Sequence, residues 1–145
     1  MTTLFHRNEA ISTSIKEIEA NSKIQSVILA STNPTIFSAG LDVSELVNPD
    51  KDRLPKFWNS LQQLYIDLYS SRLATVAAVQ GHAPAAGCFL AMACDYRIMS
   101  AGDGKKVPTI GLNETRLGIA GELSIPYMMH CVYYMLFNLT VLTFK

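Results

Sequence analysis

The chain has no excess of charge of either sign, since twelve basic residues balance twelve acidic ones among its 145 residues. A protein that grips nucleic-acid phosphates needs a basic run or patch, and the sequence contains no such run. The charge balance therefore gives no support for a nucleic acid as a partner.

Cysteine is scarce and badly spaced for structural chemistry. Cys88, Cys94 and Cys131 are odd in number and lack a CxxC spacing, and the three histidines are scattered. Such a pattern favours neither a disulfide framework nor a zinc site. We therefore expect no metal.

No targeting signal is recognisable at the N-terminus. The first residues lack the apolar core of a secretory leader, and Glu9, Glu17 and Glu19 come too early for an acid-poor transit peptide. The C-terminal "TFK" is not a peroxisomal signal.

Helical and strand patterns alternate along the chain, which predicts an α/β layered fold with right-handed crossovers. Helical periodicity or apolar content predicts helices over residues 8–20, 53–71 and 86–93. Short apolar runs predict strands over residues 24–31, 74–81 and 96–100. The first two runs are nearly continuous, which is typical of parallel strands buried on both faces.

The C-terminal segment has a different character. Residues 124–144 are almost entirely apolar, and a bilayer crossing takes about 20 residues. However, His130 and Asn138 interrupt the run, and there is no marked positive flank. These features disfavour a membrane span, and buried core is the alternative interpretation. We divide the chain into a core over residues 1–121 and an apolar tail of unclear origin over residues 122–145.

Three segments of chemical interest each follow a predicted strand: "FSAGLD" (37–42), "HAPAAGC" (82–88) and "GLNETRLGI" (111–119). In α/β folds, ligands bind beyond the carboxyl ends of the strands. Small residues let backbone N–H groups approach a ligand, and those at a helix start suit a developing oxyanion. Glu114 adds a carboxylate able to move a proton. The pattern favours proton abstraction next to a carbonyl, although each segment taken alone favours an ordinary loop or turn.

Together, "FSAGLD", "PAAGCFLAMACDYRI" and "GLNETRLGI" resemble the enoyl-CoA hydratase/isomerase (crotonase) superfamily, and within it the mitochondrial Δ3,Δ2-enoyl-CoA isomerases. The resemblance implies a spiral of ββα turns, usually assembled as trimers. It also implies an acyl-CoA thioester as substrate, no metal or redox cofactor, and the mitochondrial matrix as compartment. It ends near Ile119, so we expect an incomplete spiral that lacks the N-terminal hairpin and the C-terminal helical part.

The resemblance also assigns roles to residues. The backbone N–H groups of Leu41 and Ala86 would form the oxyanion hole, and Glu114 would shuttle a proton between C2 and C4 of the acyl chain. Ala86 replaces the glycine usual at its position. The remaining expected substrate-binding residues are Ser38, Ala39, Gly40, Asp42 and Phe89.

Phe89 bears on the type of reaction. Hydratases of this superfamily carry a second glutamate three residues after the helical oxyanion donor, whereas the isomerases have an apolar residue there. The resemblance therefore favours double-bond migration over hydration. Because the likeness stops early, a truncated non-catalytic paralogue that binds acyl-CoA or joins trimers remains the alternative, and a hydratase is a further one.

Overall fold

The computed structural model describes residues 4–42, 50–104, 107–112 and 142–144. Its helices are α1 (Leu4–Ala20), α2 (Arg53–Tyr69) and α3 (Ala86–Ala93). Its strands are β1 (Ser26–Ala30), β2 (Ala74–Val79), β3 (Ala83–Pro84), β4 (Tyr96–Ser100), β5 (Ile110–Gly111) and β6 (Leu142–Phe144). The predicted alternation of helix and strand is confirmed, and α1 begins four residues earlier than its periodicity indicated.

A parallel sheet of four strands forms the centre, in the order β1-β2-β4-β6. Ser26 pairs with Ala74 at the start of β1, and Val76 pairs with Tyr96 across β2 and β4. Parallel neighbours require crossover connections. Here α1 precedes β1, α2 joins β1 to β2, and α3 joins β2 to β4.

The core lies between one face of this sheet and the helices. The α2 stripe predicted from the sequence is buried, with Phe57, Leu61, Leu64 and Leu68 all in contact with the interior. Leu64 and Leu68 share a cluster with Ala77 and Val79 of β2 and with Leu90 of α3. Burying one such leucine side chain stabilises the fold by about 1.5–3 kcal/mol.

The expectation that β1 and β2 are buried on both faces is wrong for the described part of the chain. Burial alternates along both strands, and Ile28 in the middle of β1 is 67% exposed. The physical reason is that successive side chains of a strand point to opposite faces. The described helices pack against one face of the sheet, and the side chain of Ile28 points to the other face.

The end of α1 is anchored by Arg72, which follows α2. Its guanidinium donates hydrogen bonds to the carbonyl oxygens of Glu19, Asn21 and Ile24, at distances of 3.0, 2.9 and 3.0 Å. Backbone carbonyls at a helix C-terminus have no intrahelical donor. Arg72 supplies donors to several of them and so holds the turn that leads into β1.

A polar cluster also joins α1 to α2. Asp67 accepts hydrogen bonds from Ser12 and from Gln63, and Lys16 Nζ lies 3.0 Å from its Oδ2. Burial acts to raise the pKa of the Asp67 carboxyl, but hydrogen bonds from Ser12, Lys16 and Gln63 outweigh it and leave the pKa below its ordinary value.

The C-terminal part of the chain is described only at residues 142–144. They form β6, which extends the central sheet by pairing Ile98 of β4 with Leu142. The rest of the predicted apolar tail, residues 122–141 and Lys145, lies outside the described residues. Within the described ranges, no helix combines the length and apolar character that a bilayer crossing requires.

Candidate active site

A cavity of about 490 Å³ opens beyond the carboxyl end of β1. The loop after β1 contributes Ser38, Ala39, Gly40 and Leu41, and α3 contributes Ala86 and Leu90. Two of the three predicted loops therefore meet at one cavity, as expected where the strands of a parallel sheet end.

Backbone hydrogen bonds hold these two loops together. The His82 N–H donates to the Thr35 carbonyl at 2.9 Å, and the Phe37 N–H donates to the His82 carbonyl at 2.9 Å. Ile36 and His82 form a parallel bridge. The chain after β1 and the chain after β2 thus run side by side before they reach the cavity.

Glycine is required where the loops approach. A Cβ placed on Gly81 would lie 2.2 Å from the Thr35 carbonyl carbon, and one placed on Gly87 would lie 2.7 Å from the Ser38 carbonyl oxygen. Neither contact is compatible with a side chain. The run of small residues around the start of α3 therefore allows one backbone to pack directly against another.

Hydrogen bonds at its N–H and at its carbonyl fix the conformation of Ala85, the residue that precedes α3. Ala85 has a φ of 50°, a region that alanine seldom adopts and that costs about 1–3 kcal/mol. Its N–H donates to the Gly111 carbonyl at 2.9 Å, and its carbonyl accepts from the Phe89 N–H at 3.1 Å. A Cβ on Gly40 would lie 3.2 Å from the Ala85 Cβ, so the two loops are in close contact here.

A small second sheet ties the start of the third predicted loop to the segment before α3. β3 and β5 pair in parallel, with Ala83 opposite Ile110 and Pro84 opposite Gly111. Strands of two residues leave almost no periodic signal, and the sequence pattern did not reveal them. Leu112 then packs against Cys88 and Met92 of α3. Glu114 follows two residues later and lies outside the described residues.

The two residues predicted to supply backbone donors border the same cavity. Leu41 and Ala86 come from separate loops and both line the cavity. Ala86 is the first residue of α3, where N–H groups have no intrahelical acceptor and carry partial positive charge. Such donors stabilise negative charge that develops on an oxygen.

Phe89 and Asp42 lie apart from the cavity lining in the described part of the chain. Phe89 is 9% exposed, and its ring stacks on Tyr65 of α2 with centroids 4.3 Å apart. Asp42 is half-buried next to Leu41. The side chain of Phe89 therefore packs α3 against α2.

Several lining residues were not anticipated from the sequence. They come from the first half of α1, from the end of β1 and from α2, and include Arg7, Asn8, Ile11, Leu29 and Leu61. The α1 periodicity indicated which positions face inward, but nothing in the local sequence indicated that this face also borders the cavity. Within the described residues, no cluster of histidine, cysteine or carboxylate side chains could hold a metal ion.

Comparison with known proteins defines the class. A family model described as enoyl-CoA hydratase/isomerase matches residues 7–130. The chain belongs to the enoyl-CoA hydratase/isomerase family, and its fold is the crotonase fold, present in part.

Within that family, the chain is similar to isomerases and, at lower identity, to hydratases. It is 44% identical over 106 residues to the mitochondrial enoyl-CoA delta isomerase 1 of Rattus norvegicus, covering 73% of this chain and 36% of that protein. It is 30% identical over 109 residues to the mitochondrial methylglutaconyl-CoA hydratase of Homo sapiens, covering 75% of this chain and 31% of that protein. The chain thus spans about a third of the length of these relatives.

A solved structure shows the same relationship. The crystal structure of human mitochondrial Δ3-Δ2-enoyl-CoA isomerase superposes with a TM-score of 0.79 at 34% identity, covering 87% of this chain and 48% of that chain. An enoyl-CoA hydratase structure from Geobacillus kaustophilus superposes with a TM-score of 0.70 at 29% identity, covering 79% and 42%. The structural similarity therefore extends over most of this chain and about half of each relative.

Proposed function

We propose that this chain acts in a Δ3,Δ2-enoyl-CoA isomerase, which shifts a 3-enoyl-CoA double bond to the 2-trans position during fatty-acid β-oxidation. The observation that carries the proposal is the meeting of Leu41 and Ala86, from separate loops, at one cavity. Identity of 42–44% to mitochondrial enoyl-CoA delta isomerases supports the choice of reaction.

In the proposed mechanism, the thioester oxygen accepts hydrogen bonds from the N–H groups of Leu41 and Ala86. Glu114 removes a proton from C2, and the electron pair of that C–H bond moves toward the thioester to give a dienolate. The thioester carbonyl then re-forms, the double bond settles between C2 and C3, and Glu114 returns the proton to C4. Each N–H donor of this kind contributes about 100- to 1,000-fold to the rate.

The same geometry supports isomerisation over hydration. Hydration needs a second acid or base to activate water, and the position on α3 where the resemblance places the second glutamate of the hydratases is occupied by Phe89. Its ring is held against Tyr65, and Tyr65 is stacked on Tyr69 with centroids 5.7 Å apart. An aromatic ring has no acidic or basic group that could activate a water molecule.

The proposal needs no cofactor, because coenzyme A belongs to the substrate and the reaction is a net proton shift. The isomerases with which the chain shares 42–44% identity are described as mitochondrial. We propose the same compartment, and assembly into a homotrimer as the resemblance implies.

The test uses the purified full chain and a 3-enoyl-CoA, with formation of 2-enoyl-CoA followed by absorbance and chromatography. Glu114→Gln is expected to lower the rate by about 100- to 10,000-fold, the usual contribution of a general acid–base group. Glu17→Gln, an exposed carboxylate on α1, is the matched control and should retain full activity. Turnover that survives Glu114→Gln would remove the role assigned to this residue.

A second candidate is a non-catalytic paralogue that binds acyl-CoA or joins trimers of a full-length isomerase. Co-purification with a full-length isomerase, without turnover by the chain alone, supports this candidate. Release of 3-hydroxyacyl-CoA would instead identify the third candidate, a hydratase.

A further inference from the structure

Arg7 stands out among the residues that border the cavity. It lies in the first half of α1 and is exposed, and it is the only charged side chain among the described residues of the lining. A guanidinium presents five N–H donors and stays protonated. The described part of the cavity wall thus has one fixed positive charge and no carboxylate to neutralise it.

Three other polar side chains of the cavity lining are already engaged within the protein. Asn8 donates to Ser60 at 3.3 Å, and Asn33 accepts from the backbone N–H of Thr35 at 2.9 Å. Ser38 accepts from the Gly40 N–H at 3.4 Å. These side chains use their hydrogen-bonding groups to stabilise the wall of the cavity rather than to bind a ligand.

Arg7 differs from them, because it makes no ion pair or hydrogen bond with another described residue. Arg72, by contrast, has a structural role in this fold, because its guanidinium donates hydrogen bonds to backbone carbonyls. Arg7 contributes no comparable contact to the fold. Its substitution should therefore leave the stability of the chain unchanged.

We propose that Arg7 binds an anionic oxygen group of the ligand, either a phosphate or a carboxylate, at the end of the cavity formed by α1. The inference rests on the proposed function, since it takes the ligand to be an acyl-CoA thioester. Two parts of such a ligand carry this chemistry: the phosphates of coenzyme A, or a carboxylate at the far end of the acyl chain. Arginine forms paired, charge-assisted hydrogen bonds with both groups.

The test measures binding by calorimetry with the full chain and four saturated thioesters that cannot isomerise. Hexanoyl-CoA and adipoyl-CoA have acyl chains of equal length, and only the second ends in a carboxylate. S-hexanoylpantetheine and S-adipoylpantetheine lack the phosphates. Arg7→Gln is expected to raise the Kd of the ligands carrying the recognised anion by about 10-fold, while Arg7→Lys recovers part of the loss.

The pattern of loss identifies the source of the anion. Weaker binding of both CoA esters, with the pantetheine esters unchanged, identifies a phosphate. Weaker binding of both adipoyl ligands, with the hexanoyl ligands unchanged, identifies the acyl carboxylate. Either pattern supports the role of Arg7. Lys23→Gln, an exposed residue outside the cavity lining, removes the same charge and should change no Kd by more than about 2-fold.

Equal Kd values for the original chain and Arg7→Gln with all four ligands would overturn the inference and leave the proposed function standing. An equal loss for all four ligands, S-hexanoylpantetheine included, would also overturn it, because that ligand carries no anion. Failure of the original chain to bind any of the thioesters would instead reject the proposed function, and the inference would fall with it.

Discussion

Gly81→Ala should disrupt the contact that brings the two loops of the candidate site together. Gly81 is buried, and an added Cβ would lie 2.2 Å from the Thr35 carbonyl carbon and 2.3 Å from the Ile36 nitrogen. Ordinary contacts of a Cβ are 3.4–4 Å. Both neighbours are backbone atoms, so no side-chain rotation relieves the clash, and the two segments must separate by about 1 Å or more.

The expected magnitude follows from what that separation breaks. The hydrogen bonds from His82 N–H to Thr35 and from Phe37 N–H to His82 are each 2.9 Å long, and each contributes about 1 kcal/mol. Overpacking adds about 1–3 kcal/mol, while alanine gains about 0.4–1 kcal/mol by restricting the unfolded chain. We expect a net loss of about 3 kcal/mol, a large share of the 5–15 kcal/mol typical of a domain.

Urea unfolding of the full chain, followed by circular dichroism, measures this loss. Gly111→Ala is the matched control, because no atom of the described residues lies within 4 Å of a Cβ added there. It should change the free energy of unfolding by less than about 0.5 kcal/mol. If Gly81→Ala were as stable as the original chain, or if both variants lost equal stability, the close approach of the loops would not be what positions the site.

Two titratable groups yield predictions about pH. Because the folded pKa of Asp67 is lowered, its contribution to stability is present above the unfolded value of about 4 and is lost as the pH falls through the folded value. Urea midpoints of Asp67→Asn should therefore lie below those of the original chain at neutral pH and converge with them in acid; a constant gap would contradict this. Burial raises the pKa of the Cys94 thiol to about 11, so stability should decline as the pH rises from about 9 toward this value. Cys94→Ser should weaken that decline. Alkylation of Cys94 at pH 8, followed by mass spectrometry, should need prior unfolding, and rapid labelling of the native chain would show that the thiol is accessible.

Much of the fold could be predicted from local patterns. Strand β4 and helix α3 have the predicted bounds, and the buried stripe of α2 appeared in the sequence as a helical period. These elements can be recognised in the sequence because burial of one face imposes a repeat of apolar residues along the element. The parallel sheet then follows from the alternation of helix and strand.

Other features depend on which elements meet, and local patterns do not encode this. The exposed face of β1 is one example, because the apolar run at residues 24–31 is compatible with burial on one face or on two. The short pairing of β3 with β5 is another example, since it joins Ala83 to Ile110, which are far apart in the sequence. The position of Arg7 at the cavity is a third, because it depends on how α1 packs.

The amino-acid sequence by itself determined the order of the elements, the small residues at Gly40, Gly81 and Gly87, and membership of the family. Where two backbones approach closely there is no room for a side chain, so glycine is required. Where one face of an element is buried, apolar residues recur at the period of that element. Only the tertiary structure decided that Leu41 and Ala86 border one cavity, that Phe89 packs on Tyr65, and that Arg7 borders the same cavity. Those facts are distances between residues far apart along the chain, and such distances are fixed by packing of the whole core.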